Sequence, residues 1–174
     1  MIGNLTPSEV EHLLHTQHIG HLGFEGEGQV YVFPIAIGYD GVDLYGHSRD
    51  GLKVRLMRAH PEVCVEVEAI TTPTHWRTAL VHGRFEEITD PNEQEAALIR
   101  IAQQGDETLP MSMAPYMNGP EGLIVFRIAA REKTGRYEQD EVFPAHDVQA
   151  PRSPQHHPAE IPPQREVRRP DGAI

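Results

Sequence analysis

The feature that most constrains this chain is an apolar strand interrupted by a proline, residues 30–40 with the sequence VYVFPIAIGYD. Both of its alternating faces are apolar, one made by Val30, Val32, Pro34 and Ala36 and the other by Tyr31, Phe33, Ile35 and Ile37. Both faces therefore need to be covered. Pro34 cannot donate to a β-ladder, so the strand belongs at a sheet edge or a bulge. Because an exposed apolar edge invites aggregation, the pattern predicts burial against a second subunit or a flat ligand.

Five further segments have strand patterns: residues 18–24, 42–48, 63–68, 76–88 and 122–135. Asp40 and Gly41 together signal a tight hairpin turn, which predicts that the strands on either side of them are antiparallel neighbours. The alternation of valines with polar residues in 63–68 is typical of a sheet with one wet face.

Three segments read as short helices. Thr6 and Glu9 form a capping box at the first, and Asp90 followed by Pro91 begins the last. Between them, residues 51–60 carry a helical apolar stripe that ends at Pro61. Six strands with two or three short helices predict a mainly β, α+β fold, for which a small antiparallel barrel is the economical solution.

Composition divides the chain into two parts. Residues 1–142 carry the strands and helices, whereas residues 143–174 are proline-rich, have few large apolar side chains and are expected to form an extended or disordered tail. The net charge of −11 argues against nucleic acid and anionic membranes as partners. The beginning of the sequence lacks a signal-peptide pattern and no apolar run is long enough to span a bilayer, so we expect a cytoplasmic protein.

One short passage departs from the acidic character of the chain. It runs from a strand end through His47 and Ser48 into a helix start that bears Lys53. Backbone N–H groups at a helix start, a hydroxyl and an ammonium group together suit a phosphate. Asp50 offers an alternative, because its carboxylate could itself cap the helix and occupy the same donors. The local sequence does not decide between the two arrangements.

Taken in order, residues 5–136 resemble the pyridoxamine 5′-phosphate oxidase-like FMN-binding split-barrel family, and most closely its nitroimidazole-resistance (Nim-type) branch. The passage YGHS followed by G-x-K, a helix, Pro61 and a valine-rich strand carries the resemblance most strongly. The resemblance implies a six-stranded antiparallel split barrel, homodimeric, with FMN held between the two subunits.

The resemblance also implies roles for particular residues. Ser48 and Lys53 would hold the FMN phosphate, and His47 would belong to the active site and contact the cofactor. Two further groups would lie along or near the flavin ring: Phe33, Pro34 and Ile35 in one strand, and Trp76, Arg77 and Thr78 in another. The basic cluster with which pyridoxamine phosphate oxidases bind their substrate's phosphate is absent, so vitamin B6 oxidation is not expected.

The function that the resemblance favours is that of an FMN-dependent oxidoreductase that reduces small organic or nitroaromatic substrates. The alternatives are a non-catalytic split-barrel protein that holds flavin or haem, and a reductase that uses the deazaflavin F420. A metal site is not predicted. Histidines recur every three residues from His12 to His21. His12 and His15 would share one helical face, but His18 and His21 would point to opposite faces of the following strand, and no acid completes a plausible ligand shell.

Overall fold

The computed structural model describes residues 1–105 and 122–139; the predicted tail, residues 143–174, lies outside the described residues. Eight strands and three helices follow one another in the order β1 (Ile2–Asn4), α1 (Pro7–Thr16), β2 (Ile19–Gly26), β3 (Gln29–Ala36), β4 (Gly38–Tyr39), β5 (Leu44–Arg49), α2 (Leu52–Ala59), β6 (Glu62–Thr72), β7 (His75–Glu87), α3 (Pro91–Gln104) and β8 (Leu123–Glu138). The six predicted strands are all present, and the mainly β antiparallel architecture is confirmed. Two very short strands, β1 and β4, were not predicted.

All of the strands pair antiparallel in one sheet with the order β3-β2-β6-β7-β8-β5-β4, and β1 pairs with β8. The two strands at the ends of this path, β3 and β4, are consecutive in the chain. The segment predicted as one strand over residues 30–40 is therefore two. Ile37 marks the break: it is fully buried, and its N–H donates to the carbonyl of His18 at 3.0 Å. The chain thus crosses from one end of the sheet to the other, which curls the sheet into a barrel.

The barrel is split between β3 and β5, which lie side by side without a hydrogen-bonded ladder. Gly46 of β5 faces this gap. A Cβ built on it would lie 3.6 Å from Cδ1 of Ile35 and 2.7 Å from the ring of Phe126. A larger residue at position 46 would therefore collide with the ring of Phe126, while its distance to Ile35 across the gap is an ordinary van der Waals contact.

The turns of the two hairpins that flank the split differ in character. Glu27 and Gly28, between β2 and β3, both have positive φ, as a type I′ turn requires. In the β4–β5 hairpin the N–H of Asp40 donates to the carbonyl of Asp43 at 3.3 Å, so Gly41 and Val42 are the central residues. The predicted turn is present, displaced by one residue from the Asp40-Gly41 pair.

Helices α1 and α3 begin as their sequences indicate. Thr6 and Glu9 form both hydrogen bonds of the capping box at α1, and the carboxylate of Asp90 accepts from two backbone N–H groups at α3. The helices flank the barrel, whose interior is filled by aliphatic and aromatic side chains from most of the strands. The largest fully buried side chains come from strands, from helices α1 and α2 and from the link between β3 and β4: Phe126, Leu14, Leu22, Ile37, Leu44, Met57 and Ile128. In the part of the chain that the structure describes, no helix is long and apolar enough to cross a membrane.

Candidate functional site

The start of α2 differs from the other two helix starts. Its N-cap is Gly51, and within the described residues no side chain caps it. The hypothesis that Asp50 caps α2 is wrong, because its carboxylate instead receives Nη1 of Arg58 at 3.2 Å. Arg58 also donates from Nε to Glu87 at 2.8 Å, so this arginine is neutralised from two sides. The N–H groups of the first turn of α2 are thereby left without a side-chain acceptor, which is the arrangement that suits an external anion.

Lys53 lies beside this helix start and is partly buried. Its Nζ is 5.4 Å from the centroid of the Phe33 ring, within the range of a cation–π contact. Burial lowers the pKa of the Lys53 ammonium group, and among the described residues Lys53 forms no ion pair. A partly desolvated cation without a carboxylate partner is stabilised when an anion binds next to it.

An aromatic surface adjoins Lys53 on β2 and β3. Phe24, Tyr31 and Phe33 stack on one another, with ring centroids 5.5 to 6.2 Å apart. Tyr31 and Phe33 pack against the buried core and are only half-buried. Of these three rings, only Phe33 was predicted to belong to the site. The position of Tyr31 on the same strand face as Phe33 can be predicted from their two-residue spacing, whereas Phe24 joins the group only because β2 pairs with β3.

Two predicted site residues, His47 and Ser48, point to opposite faces of β5. Ser48 shares a strand face with Gly46, which faces the split, and its hydroxyl donates to the carbonyl of Arg49 at 3.1 Å. His47 lies opposite Val125 of β8. Burial, and secondarily the positive charge of Lys53, lowers the pKa of His47 below its ordinary value. The imidazole is therefore mainly neutral at pH 7.

The other two residues predicted with Phe33 are placed differently. Ile35 is 6% exposed and belongs to the hydrophobic core. Pro34 points the other way, to the exposed side of β3. Phe33 therefore contacts Lys53, whereas Pro34 points to the opposite face of the strand, and Ile35, on the same face as Phe33, is buried in the core.

Trp76, Arg77 and Thr78 lie elsewhere in the protomer. Across the sheet, Phe33 of β3 pairs with Leu22 of β2, which pairs with Val65 of β6. Val65 in turn pairs with Val81 of β7, which is five residues from Trp76 along that strand. Strand geometry separates Trp76 from Phe33 by about 16 Å along β7 and about 14 Å across the sheet. The Trp76–Thr78 group and the Lys53 group therefore do not form one site within a single chain.

Local contacts fix the side chains of this second group. Nε1 of Trp76 donates to Glu138 at 3.0 Å, and the hydroxyl of Thr78 donates to Glu66 at 2.8 Å. Arg77 is exposed.

A groove of about 380 Å³ lies on the outer face of the sheet, between edge strand β3 and the Trp76–Thr78 group. Val32, Cys64, Glu66, Thr78 and Leu80 contribute to its lining. Apolar side chains on this face are strongly exposed: Val30 by 78% and Val32 by 62%. The predicted apolar edge is thus present and uncovered in the protomer.

Comparison with known proteins agrees with this architecture. The sequence profile of the family described as "Pyridoxamine 5'-phosphate oxidase" matches residues 6–137. A protein of Rhizobium meliloti without a described function is 26% identical over 117 residues, which cover 63% of this chain and 78% of that protein.

Two solved structures have similar folds. An FAD-binding protein from Mesorhizobium loti has 26% identity and a TM-score of 0.65, and the similarity covers 80% of this chain and 99% of that one. A candidate 5-nitroimidazole antibiotic resistance protein from Bacteroides thetaiotaomicron has 21% identity and a TM-score of 0.65, with 81% and 92% covered.

Proposed function

Because the chain belongs to the pyridoxamine 5′-phosphate oxidase family, we propose that it is a flavoprotein that binds FMN and reduces small organic substrates, including nitroaromatic compounds. The observation that carries the proposal is the pairing of two features: a helix start without a side-chain cap and, beside it, a half-buried lysine without a counterion among the described residues. The description of the Mesorhizobium loti protein as FAD-binding supports a flavin as the ligand class.

In this proposal the phosphate binds at the start of α2. Backbone N–H groups of the first turn and the ammonium group of Lys53 donate to it, and the Ser48 hydroxyl turns from the Arg49 carbonyl to do the same. The adjoining surface of Phe33 and Tyr31 borders the apolar ring system. When bound, the flavin supplies the electron-transfer chemistry, while the protein supplies position and electrostatics. The charge of Lys53 contributes to lowering the pKa of His47. The neutral imidazole can therefore form a hydrogen bond with cofactor or substrate without adding a positive charge to the site.

The second half of the site comes from a partner protomer in this proposal. The exposed edge residues Val30, Val32 and Pro34 would be covered by a two-fold-related copy, which removes the aggregation hazard of the edge. The same packing would bring the Trp76–Thr78 group of one chain next to the Lys53 group of the other. Because the two groups are far apart within one chain, a cleft shared between two chains is the arrangement in which both can contact one ligand.

The test is to remove the proposed phosphate ligand. Lys53→Ala should weaken FMN binding by about ten- to 150-fold, because a charge-assisted hydrogen bond contributes about 1.5 to 3 kcal/mol. Riboflavin, which lacks the phosphate, should bind weakly to both proteins and show little difference. The measurement is a titration of apoprotein followed by flavin fluorescence.

A matched control is Arg84→Ala, which removes an exposed cation paired with Glu62 on β6. It should leave FMN affinity unchanged. Equal FMN affinity in the parent and Lys53→Ala would contradict the phosphate assignment.

The absorption spectrum of freshly purified protein separates this function from its rivals. Flavin bands that disappear when a chemical reductant is added, and return when an organic substrate reoxidises the flavin, support an oxidoreductase. A Soret band indicates a haem-binding protein instead, and the spectrum of a deazaflavin indicates an F420-dependent reductase. A stably bound flavin that no substrate reoxidises favours a non-catalytic binding protein.

A further inference from the structure

Two cavities meet near the end of β8. The groove of about 380 Å³ on the outer face of the sheet shares residues 134–136 with a larger cavity of about 680 Å³, which is lined on its other side by residues within 4–11. Arg136 therefore lines both cavities. Its backbone is held from two sides, because it pairs with Thr78 of β7 and with Asn4 of β1. The guanidinium group is thus carried by a well-fixed part of the sheet at the point where the two cavities join.

The carboxylates on the groove side of this junction are engaged with neutral donors. Glu138 lies two residues from Arg136, on the same face of β8, and accepts from Nε1 of Trp76 at 3.0 Å. Glu66 lines the groove and accepts from the Thr78 hydroxyl at 2.8 Å. It belongs to β6, two strand spacings or about 10 Å from β8, so it repels an anion bound at Arg136 only weakly.

Lys133, the other cation that lines these cavities, is neutralised. Its Nζ donates to Glu11 at 2.8 Å and also to the hydroxyl of Tyr39. Glu11 is therefore already paired. Arg136 forms no ion pair with any residue in 1–105 or 122–139. In a chain of net charge −11, an unneutralised cation at the mouth of two cavities is a local exception that favours an anionic ligand.

The rest of the groove indicates what kind of anion fits. Val32 and Leu80 contribute aliphatic side chains to its lining, and Cys64 contributes a weakly polar thiol. An inorganic anion gains nothing from apolar surface, whereas an organic anion can bury its apolar body there. The volume lies within the range of cavities that take small organic ligands. A guanidinium group matches a carboxylate in a two-pronged hydrogen bond.

From this arrangement we propose that the groove binds a small aromatic carboxylate, with its carboxylate group on Arg136 and its ring against Leu80. The groove adjoins the Trp76–Thr78 group, which would face the flavin in the shared cleft. The bound molecule is then a substrate, and this part of the inference rests on the proposed function. Among nitroaromatic substrates, those that carry a carboxylate are preferred, and Arg136 determines that specificity.

The experiment compares 4-nitrobenzoate with its neutral isostere 4-nitrobenzamide by titration calorimetry on the purified protein. The parent should bind 4-nitrobenzoate about fivefold more tightly, a ratio at the upper end of the range for an exposed ion pair. Arg136→Gln should bind the two compounds equally. Arg136→Lys should keep part of the preference, because an ammonium group retains the charge but lacks the planar fork. Arg84→Gln, which removes an exposed arginine of β7, should keep all of it.

A kinetic measurement tests the role in specificity. When the chemically reduced flavoprotein is reoxidised by each compound, Arg136→Gln should raise the half-saturating concentration of 4-nitrobenzoate about fivefold and leave that of 4-nitrobenzamide unchanged. The maximal rates should stay within twofold, because the lost contact is made equally before and during the reaction. An unfolding temperature equal to that of the parent shows that the variant is folded.

Separate outcomes identify which inference has failed. Equal binding of the two compounds by the parent would overturn the carboxylate site and leave the flavin proposal standing. Displacement of 4-nitrobenzoate by an equal concentration of inorganic phosphate would also overturn it, because the apolar part of the groove would then contribute nothing. A parent that prefers 4-nitrobenzoate but binds no flavin would contradict the proposed function and support the carboxylate site.

Discussion

Replacing Gly51 with aspartate should make the protein more stable and at the same time less able to bind its cofactor. Gly51 is the N-cap of α2, and its backbone is extended, with φ −170° and ψ −164°, so other residues can adopt the same conformation. A Cβ at this position would have no neighbour nearer than the carbonyl oxygen of Arg49 at 3.9 Å. Gly51→Asp therefore introduces a carboxylate without a steric penalty.

The two effects of this substitution have opposite signs. The carboxylate should accept from N–H groups of the first turn, and a better cap is worth a few tenths of a kcal/mol over glycine. Its charge should add about 0.3 to 1 kcal/mol through the helix dipole. The same carboxylate occupies the donors that the phosphate needs and repels it. The variant should therefore lose about 1.5 to 3 kcal/mol of FMN binding, a weakening of about ten- to 150-fold.

Two measurements on apoprotein check this prediction. Thermal unfolding should show a rise of a few degrees at most, because about 1 kcal/mol shifts the midpoint by roughly 2–4 °C in a chain of this size. Titration with FMN should show the weaker binding, while riboflavin should bind as it does to the parent. Gly51→Ser is the uncharged control, with a similar cap and a smaller loss of FMN affinity. Unchanged FMN binding by Gly51→Asp would refute the anion site at α2, and a lower unfolding temperature would refute the cap geometry.

Two further predictions concern the edge strand and the histidine. Val32→Asp should convert a dimer into a monomer, measured by light scattering, because it places an unpaired charge in an apolar interface. The control Val42→Asp changes a turn residue of similar exposure, 64% compared with 62% for Val32, and should leave the dimer intact. A dimer that survives Val32→Asp would exclude β3 from the interface. The pKa of His47 is lowered in the folded state, so the unfolded chain binds its proton first, and stability is lost as the pH falls below about 6.5. His47→Gln should lose less thermal stability than the parent between pH 7.5 and 5.5, and parallel losses would show that His47 does not contribute.

Much of the local structure could be predicted from the sequence, because the interactions that fix it are short-range. The capping box of Thr6 and Glu9 and the Asp90 cap depend on residues two or three positions apart, and both are present as predicted. The period-two alternation located the long strands, and the positively charged passage at Ser48 and Lys53 proved to be a strand end followed by a helix. The family resemblance from these motifs is confirmed over residues 6–137.

Contacts between distant parts of the chain decided the rest. The position of Asp50 just before α2 suits a cap, but its carboxylate pairs with Arg58, which also pairs with Glu87. This ion-pair cluster forms only because the end of β7, which carries Glu87, lies beside the helix. The division of residues 30–40 into two strands follows from closure of the barrel, in which Ile37 is buried against β2.

The placement of the candidate site illustrates the same limit. The sequence pointed to both Lys53 and Trp76 as site residues. Only the strand order shows that Phe33, which contacts Lys53, is separated by three strand spacings from β7, which carries Trp76. Which residues share a strand or a helix turn is set by the sequence, because backbone periodicity is local. Which strands become neighbours is set by how the whole set of apolar faces is buried at once, and that choice can be read only from the tertiary structure.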